Sequence, residues 1–456
     1  MSDATLSGTA RAEVRSVLAI AEHFVRLKER ALQFLDEFSA NQRGHFTPTE
    51  DEQSRQLLVS YWQSRNALLE LVSAYQADEV EGEGDPVRFL AAFGGALVLL
   101  DAARFIRDTM HDKPVVRQKL NEPEPHFGIE EGCYDQIQKS LTSPVHAWHL
   151  YHANQHFEAN EAELQKATGG DSQAQAVFEL VGRLRDRLDV SAARFATARA
   201  RVQARRLRTS VSRDVVGRAM YGLQKAVSGL VSDIYTRPSH VPQLPDAIVA
   251  ELEEILEPGD ILVTRKEHAA TNYFLPGFWP HAALFVGDAK RLSERGLDSH
   301  DNVAKHWGEL QGIDTTQTRR VVEAMKDGVR MRSLATTLKC DSITVLRARL
   351  EPKSVDDVVA RAFFHVGKAY DFDFDFSRSD RMVCSEVVYR SYDGVGQTEF
   401  ELKKRAGRLT LAPEDIMQMA LDDRSFDIIA CYASQHTEAL LRGDAAKALV
   451  QNTIGS

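Results

Sequence analysis

Only four cysteines occur in the 456 residues, Cys133, Cys340, Cys384 and Cys431, and no two of them stand in a C-x-x-C spacing. That scarcity excludes a disulfide framework, offers no zinc-ligand pattern, and fits a reducing compartment. An excess of positive charge is missing as well. Lys and Arg number 56 against 66 Asp and Glu, giving a net charge of −10. Such a balance repels phosphate backbones, so no nucleic-acid partner is expected. The longest apolar run, Phe89 to Leu100, is twelve residues and stops at Asp101. A bilayer needs about 20, so this run reads as a helix buried inside a bundle. The first residues lack the basic start and apolar core of a secretory signal. A soluble, cytoplasmic chain is expected, with signal-independent export as the alternative.

What is present divides into two textures. Up to about residue 240 the pattern is helix after helix, without a repeat of fixed period. Val14, Val17, Leu18, Ala21, Phe24, Val25 and Leu32 recur at helical steps. Thr47-Pro48-Thr49-Glu50 has the form of a helix start. Leu57, Leu58, Tyr61, Ala67, Leu68, Leu71 and Val72 continue on a second long helix. Breaks fall at Gly82–Pro86, Asn121–Pro125 and Gly169–Asp171. The expectation is an all-α bundle over 1–240, of unassigned role and with an unidentified protein partner, if any. Its arginine-rich stretch, Arg199, Arg201, Arg205, Arg206, Arg208 and Arg213, reads as a solvated helix face, with an anionic lipid surface or a partner's acidic patch as the alternatives.

Ser239–Pro245 breaks the helical pattern and reads as a linker. A helix over Ala247–Leu256 follows, then short β-type runs at Ile261–Thr264, Ala282–Val286, Arg320–Met325, Ile343–Leu350 and Ile428–Tyr432. Helical stretches at Val355–Gly367 and Cys384–Tyr392 separate them. The mixture predicts an α+β domain over 245–435, with a helical tail over 436–456.

Acyl transfer by a thiol needs a thiolate, an imidazole to carry its proton, and a polar group that orients the imidazole. Cys384 follows Ser377, Ser379 and Asp380, which read as capping residues, and opens an apolar-striped helix. A thiol in a first helical turn meets unpaired N–H groups and the positive end of the helix dipole, which favour thiolate. His281 stands at the mouth of the strand AALFVG, where a base would be held rigidly. Glu323 sits inside the apolar strand before an Asp327-Gly328 turn, where a carboxylate is costly unless partnered. An imidazolium on the neighbouring strand would be such a partner. Each residue alone has a bland reading; the set of three carries the argument.

The segments GDILVTR (259–265), NYFLPGFWPHAALFVG (272–287), VVEAMKDGV (321–329), GKAYDFDFDFSRSDRMVCSEVVYRSY (367–392) and LAPEDI (411–416) extend this reading. Together they resemble the permuted papain-like amidases, the YaeF/YiiX-like branch of the NlpC-type superfamily, with lecithin:retinol acyltransferase as a more distant likeness. The resemblance covers roughly Pro258 to Cys431. It implies a circularly permuted papain-like domain with a small antiparallel sheet or barrel. The histidine strand comes first, a polar residue on the next strand second, and the nucleophilic cysteine last. His281, Glu323 and Cys384 occupy those positions. It also implies a thioester intermediate resolved by water or by an acceptor; no cofactor or metal is expected.

Two further features bear on the substrate. Tyr273, Phe274, Leu275, Phe278 and Trp279 precede His281 and read either as a domain wall or as an apolar entrance for an acyl chain. Asp371, Asp373 and Asp375 alternate with Phe372, Phe374 and Phe376; an ordered loop or edge strand is expected rather than a cation site. The leading expectation is a cysteine hydrolase or acyltransferase acting on an acyl amide or ester, with a lipid as one substrate class and possible contact with a membrane surface. The alternatives are an amidase or peptidase of peptidoglycan or protein amides, and a non-enzymatic binding module.

Overall fold

The computed structural model describes residues 6–37, 43–78, 85–141, 144–187, 240–267, 277–312 and 317–454. The arginine-rich stretch and the aromatic residues Tyr273, Phe274 and Leu275 lie outside them. The chain forms two compact units, one of Met1–Pro125 with Ile129–Ser239, the other of His126–Gly128 with His240–Ser456.

The first unit is helical among its described residues. Its helices are α1 (Gly8–Glu37), α2 (Pro48–Asp78), α3 (Pro86–Met110), α4 (Pro114–Lys119), α5 (Cys133–Leu141), α6 (Pro144–Thr168) and α7 (Ser172–Arg187). Helix α2 starts where the sequence signalled. The Glu50 N–H donates to Thr47 Oγ1 at 3.3 Å, and the Thr47 N–H donates back to Glu50 Oε2 at 2.8 Å. This reciprocal box satisfies two donors that the helix itself leaves orphaned. On α1 the buried stripe is Val14, Val17, Ile20, Phe24, Leu27, Ala31 and Phe34. Val25 and Leu32, expected on that face, are exposed. They belong to a seven-residue row one position round the helix, about 100° from the stripe, and so fall outside the contact.

The apolar run lies inside α3, which extends to 25 residues rather than twelve. By length and composition alone it is long enough to cross a membrane. Yet Leu90, Phe93, Leu97, Val98 and Ile106 are buried, and α3 packs against α1, α2 and α7. Gly94 and Gly95 permit that approach. A Cβ at Gly94 would already touch Val181, Val177 and Val17, and one at Gly95 would touch Leu68 and Val72.

The second unit is α+β. Strands β1 (Ile261–Arg265), β2 (His281–Gly287), β3 (Arg320–Met325), β4 (Gly328–Ser333), β5 (Ser342–Ala348), β6 (Phe426–Ala433) and β7 (Leu441–Arg442) form one antiparallel sheet. Their order is β7-β6-β5-β1-β2-β3-β4. Helices α8 (Asp246–Ile255), α9 (Pro352–His365), α10 (Cys384–Tyr392), α11 (Pro413–Leu421) and α12 (Gly443–Thr453) accompany it. Ile248 and Leu252 of α8 join Leu262, Phe285, Val321, Ile343 and Val345 in one core, and α10 packs against β2, β3 and α9. An N-terminal part that is helical among its described residues, followed by an α+β domain built on one antiparallel sheet, is therefore the architecture.

The Asp327-Gly328 turn joins β3 to β4. Gly328 has φ +95°, and a Cβ there would stand 2.5 Å from the Lys368 carbonyl oxygen, so no side chain fits. The last helix is tied in as well. β7 pairs with β6, and the buried Trp279 indole N–H donates to Thr453 Oγ1 of α12 at 3.0 Å.

Candidate active site

The register explains why His281 and Glu323 meet. Phe285 on β2 lies opposite Val321 on β3, and side chains alternate faces along a strand. His281 is four residues from Phe285 and Glu323 two from Val321, so both occupy the same face. His281 Nε2 stands 2.7 Å from Glu323 Oε2. Cys384 is the first residue of α10, whose packing against β2 and β3 brings the sulfur to the mouth of β2. Its Sγ lies 4.0 Å from the Pro280 carbonyl oxygen, and His281 is the group whose charge favours its ionised form most.

The expected side-chain cap is not there. Val383 is the N-cap residue and provides no side-chain bond. Ser377 donates instead to Asp375 Oδ1 at 2.7 Å, and Asp380 pairs with Arg378 and Arg381. The helix begins four residues after Asp380, beyond the reach of that local loop. Without a side-chain acceptor at the cap, the N–H groups of Ala282 and Ser385 are left to favour the charged form of the sulfur.

Burial and charge then separate this cysteine from the other three. Burial pushes the Cys133 and Cys431 thiols up to about 12 and moves Cys340 in the same direction. Burial also opposes ionisation of Cys384, but the His281 hydrogen bond and charge, with the two N–H groups, bring its pKa below the ordinary thiol value. Burial alone would lower the pKa of His281; its bonds to Cys384 and Glu323 outweigh that and push it up to about 10. Burial would raise Glu323, but His281, Arg332 and Lys266 pull it down to about 2. The three shifts run toward one arrangement of alternating charge: thiolate, imidazolium, carboxylate. Cys384 is 4% exposed and the Glu323 side chain 2%, whereas the His281 side chain keeps 26% exposure. The open side of the site is therefore at the imidazole.

Sequence reasoning overlooked the support behind Glu323. Its other oxygen, Oε1, accepts from Thr337 Oγ1 at 3.3 Å and lies 3.2 Å from Arg332 Nε. Arg332 sits on β4, a strand signalled by the Asp-Gly turn and by Val329, Met331 and Ser333 alternating with two arginines. Phe278 and Trp279, two of the five aromatic or aliphatic residues before His281, are buried. Arg265 lies over the Phe278 ring at 4.4 Å and donates to the Phe278 carbonyl at 2.8 Å. Those two residues form wall rather than entrance.

The acidic alternation is not extended either. Asp371 takes backbone N–H bonds from Asp373 at 3.1 Å and Asp375 at 2.6 Å, while Phe372, Phe374 and Phe376 are all buried. It is an ordered, turn-rich loop, and no group of three potential metal ligands occurs among the described residues.

Residues 255–437 match the family described as permuted papain-like amidase enzyme, YaeF/YiiX, C92 family. That match contains His281, Glu323 and Cys384 and leaves the helical unit outside. No curated protein and no solved structure matches the chain.

Proposed function

We propose that the permuted papain-like domain is a cysteine hydrolase that opens amide bonds through a thioester on Cys384. The observation that carries this reading is the imidazole of His281, 2.7 Å from a buried carboxylate and at the mouth of β2 where the Cys384 sulfur sits beside the Pro280 carbonyl. The Cys384 thiolate attacks the amide carbonyl carbon, forming a C–S bond. The oxyanion meets the Cys384 N–H at the opening of α10, a donor that the helix itself leaves without a partner. His281 gives its proton to the departing amine nitrogen as the C–N bond breaks. Neutral His281 then takes a proton from water, whose oxygen attacks the thioester carbon. Loss of the C–S bond releases the acid and restores the thiolate and imidazolium. Amide plus water gives acid plus amine, and nothing else is consumed. Transfer to another acceptor would differ only in the group that replaces water.

The match to an amidase family favours an amide over an ester as the bond opened. A lipid acyl chain has less support than the sequence suggested, because Phe278 and Trp279 face inward. The test is a panel of N-acyl amides and short peptides with intact-mass detection of an acyl-enzyme. Wild type is expected to gain the acyl mass at Cys384, while Cys384→Ala gains none and its turnover falls to background with an unchanged unfolding midpoint. Full turnover by Cys384→Ala would overturn the reading.

A further inference from the structure

We propose that Arg332 is a positioning residue for this site, clamping Glu323 so that one carboxylate oxygen is held ready for His281; the inference rests on the cysteine–histidine reading above. Arg332 bridges two buried carboxylates of the β3–β4 hairpin. Its Nε lies 3.2 Å from Glu323 Oε1, and its Nη2 pairs with Asp327 Oδ1. The register makes this possible. Val321 is opposite Arg332, which places Arg332 diagonally beside Glu323 on the same face. Arg330 is the residue directly opposite Glu323, yet its Nε is turned to the Asp327 carbonyl at 3.3 Å. Arg332 therefore supplies the clamp as an ion pair, its Nε making no hydrogen bond, and Thr337 Oγ1 donates the hydrogen bond to the same oxygen.

The geometry assigns each Glu323 oxygen one task. Oε1 faces Arg332 and Thr337, and Oε2 is left to His281. A guanidinium's rigid fork can hold two carboxylates in fixed directions, which an ammonium point charge cannot. The ionisable groups facing Glu323 are His281, Arg332, Lys266 and the Cys340 thiol; those facing His281 are Cys384 and Glu323. Without Arg332, burial favours a protonated or displaced Glu323. The imidazolium then loses its counter-charge.

Two roles for Arg332 predict opposite signs. Were Arg332 only a nearby positive charge, its removal would make the imidazolium more stable and raise the His281 pKa. As the clamp for Glu323, its removal must lower that pKa. The experiment follows the His281 ring carbon by NMR against pH in the full chain, with His281→Gln supplying the assignment. Wild type, Cys384→Ala, Arg332→Met and Arg332→Lys are compared. In wild type the His281 pKa is expected well above an ordinary histidine, and to fall in Cys384→Ala. Arg332→Met is expected to lower it by about one unit or more, a tenfold loss of proton affinity. Arg332→Lys, which keeps the charge but not the fork, is expected to lower it by less, and it carries the test if the methionine variant does not fold. An unchanged or raised His281 pKa in both folded variants would overturn the clamp. An ordinary His281 in wild type, indifferent to Cys384→Ala, would instead overturn the catalytic pair on which the clamp depends.

Discussion

Two buried carboxylates in the second unit each meet an arginine, and they end differently. Asp260, just before β1, accepts from Arg347 Nε and Nη2 at 2.8 Å each, one bond to each oxygen, and takes the Glu257 N–H at 2.8 Å as well. Burial still pushes its pKa up. Glu323 offers one oxygen to Arg332 and Thr337 and the other to an imidazole, and its pKa falls to about 2. The first carboxylate is saturated by Arg347 and the Glu257 N–H, and it joins the start of β1 to β5. The second leaves an oxygen for a group that itself carries a proton. The helical unit takes neither route with its buried serines. Ser16, Ser60 and Ser64 return their hydroxyls to carbonyls four residues back, at 2.8, 2.9 and 2.8 Å. Similar amounts of burial thus serve local structure, long-range anchoring, or a site in which a proton moves.

Exchanging the two carboxylate environments sharpens the contrast. Glu323→Gln keeps the shape but removes the charge, and turnover per folded molecule is expected to fall on the order of 10²–10⁴-fold. Arg347→Met is expected to do the reverse. Removing one partner of a buried pair should cost roughly 2–4 kcal/mol of stability in denaturant titration, with activity per folded molecule unchanged. If Arg347→Met instead slows turnover without destabilising the chain, the division between anchoring and catalysis fails.

The helical unit gives the smallest contrast. Phe24→Ala opens a cavity in the buried stripe of α1 and should cost about 3–5 kcal/mol. Val25→Ser, one residue on but 56% exposed, should stay within about 0.5 kcal/mol. Equal effects in thermal melts would contradict the placement of the α1 core face.

Much of this organisation was legible in the chain because the signals are local. The apolar alternation around Glu323 and the Asp327-Gly328 turn mark β3 and its end, and the stripe after Cys384 marks α10 residue for residue. The order His281, Glu323, Cys384 directed attention to a site whose members the sheet then brings together. What escaped was set by distance. Arg332 lies nine residues beyond Glu323, and only the β3–β4 register reveals that it faces back. Thr337 comes from the turn after β4. The false cap at Ser377–Asp380 has the opposite cause. The residue types were right for a helix start, but they satisfy a loop of their own before the helix begins at Cys384. On α1, choosing apolar residues by type without fixing the phase of the face drew in Val25 and Leu32.

The most direct test of the central claim is the pH dependence of alkylation at Cys384, read by site-resolved mass spectrometry in wild type and His281→Ala. The thiol pKa is held below its ordinary value by the imidazolium, so wild-type alkylation should reach half its maximum at a pH below the ~8.5 of a free thiol. Removing His281 takes away the hydrogen bond and the positive charge while burial remains, so the half-point should rise above the free-thiol value. A half-point that is ordinary or elevated in wild type and does not move in His281→Ala would contradict the account. In that case Cys384 and His281 do not act as a pair.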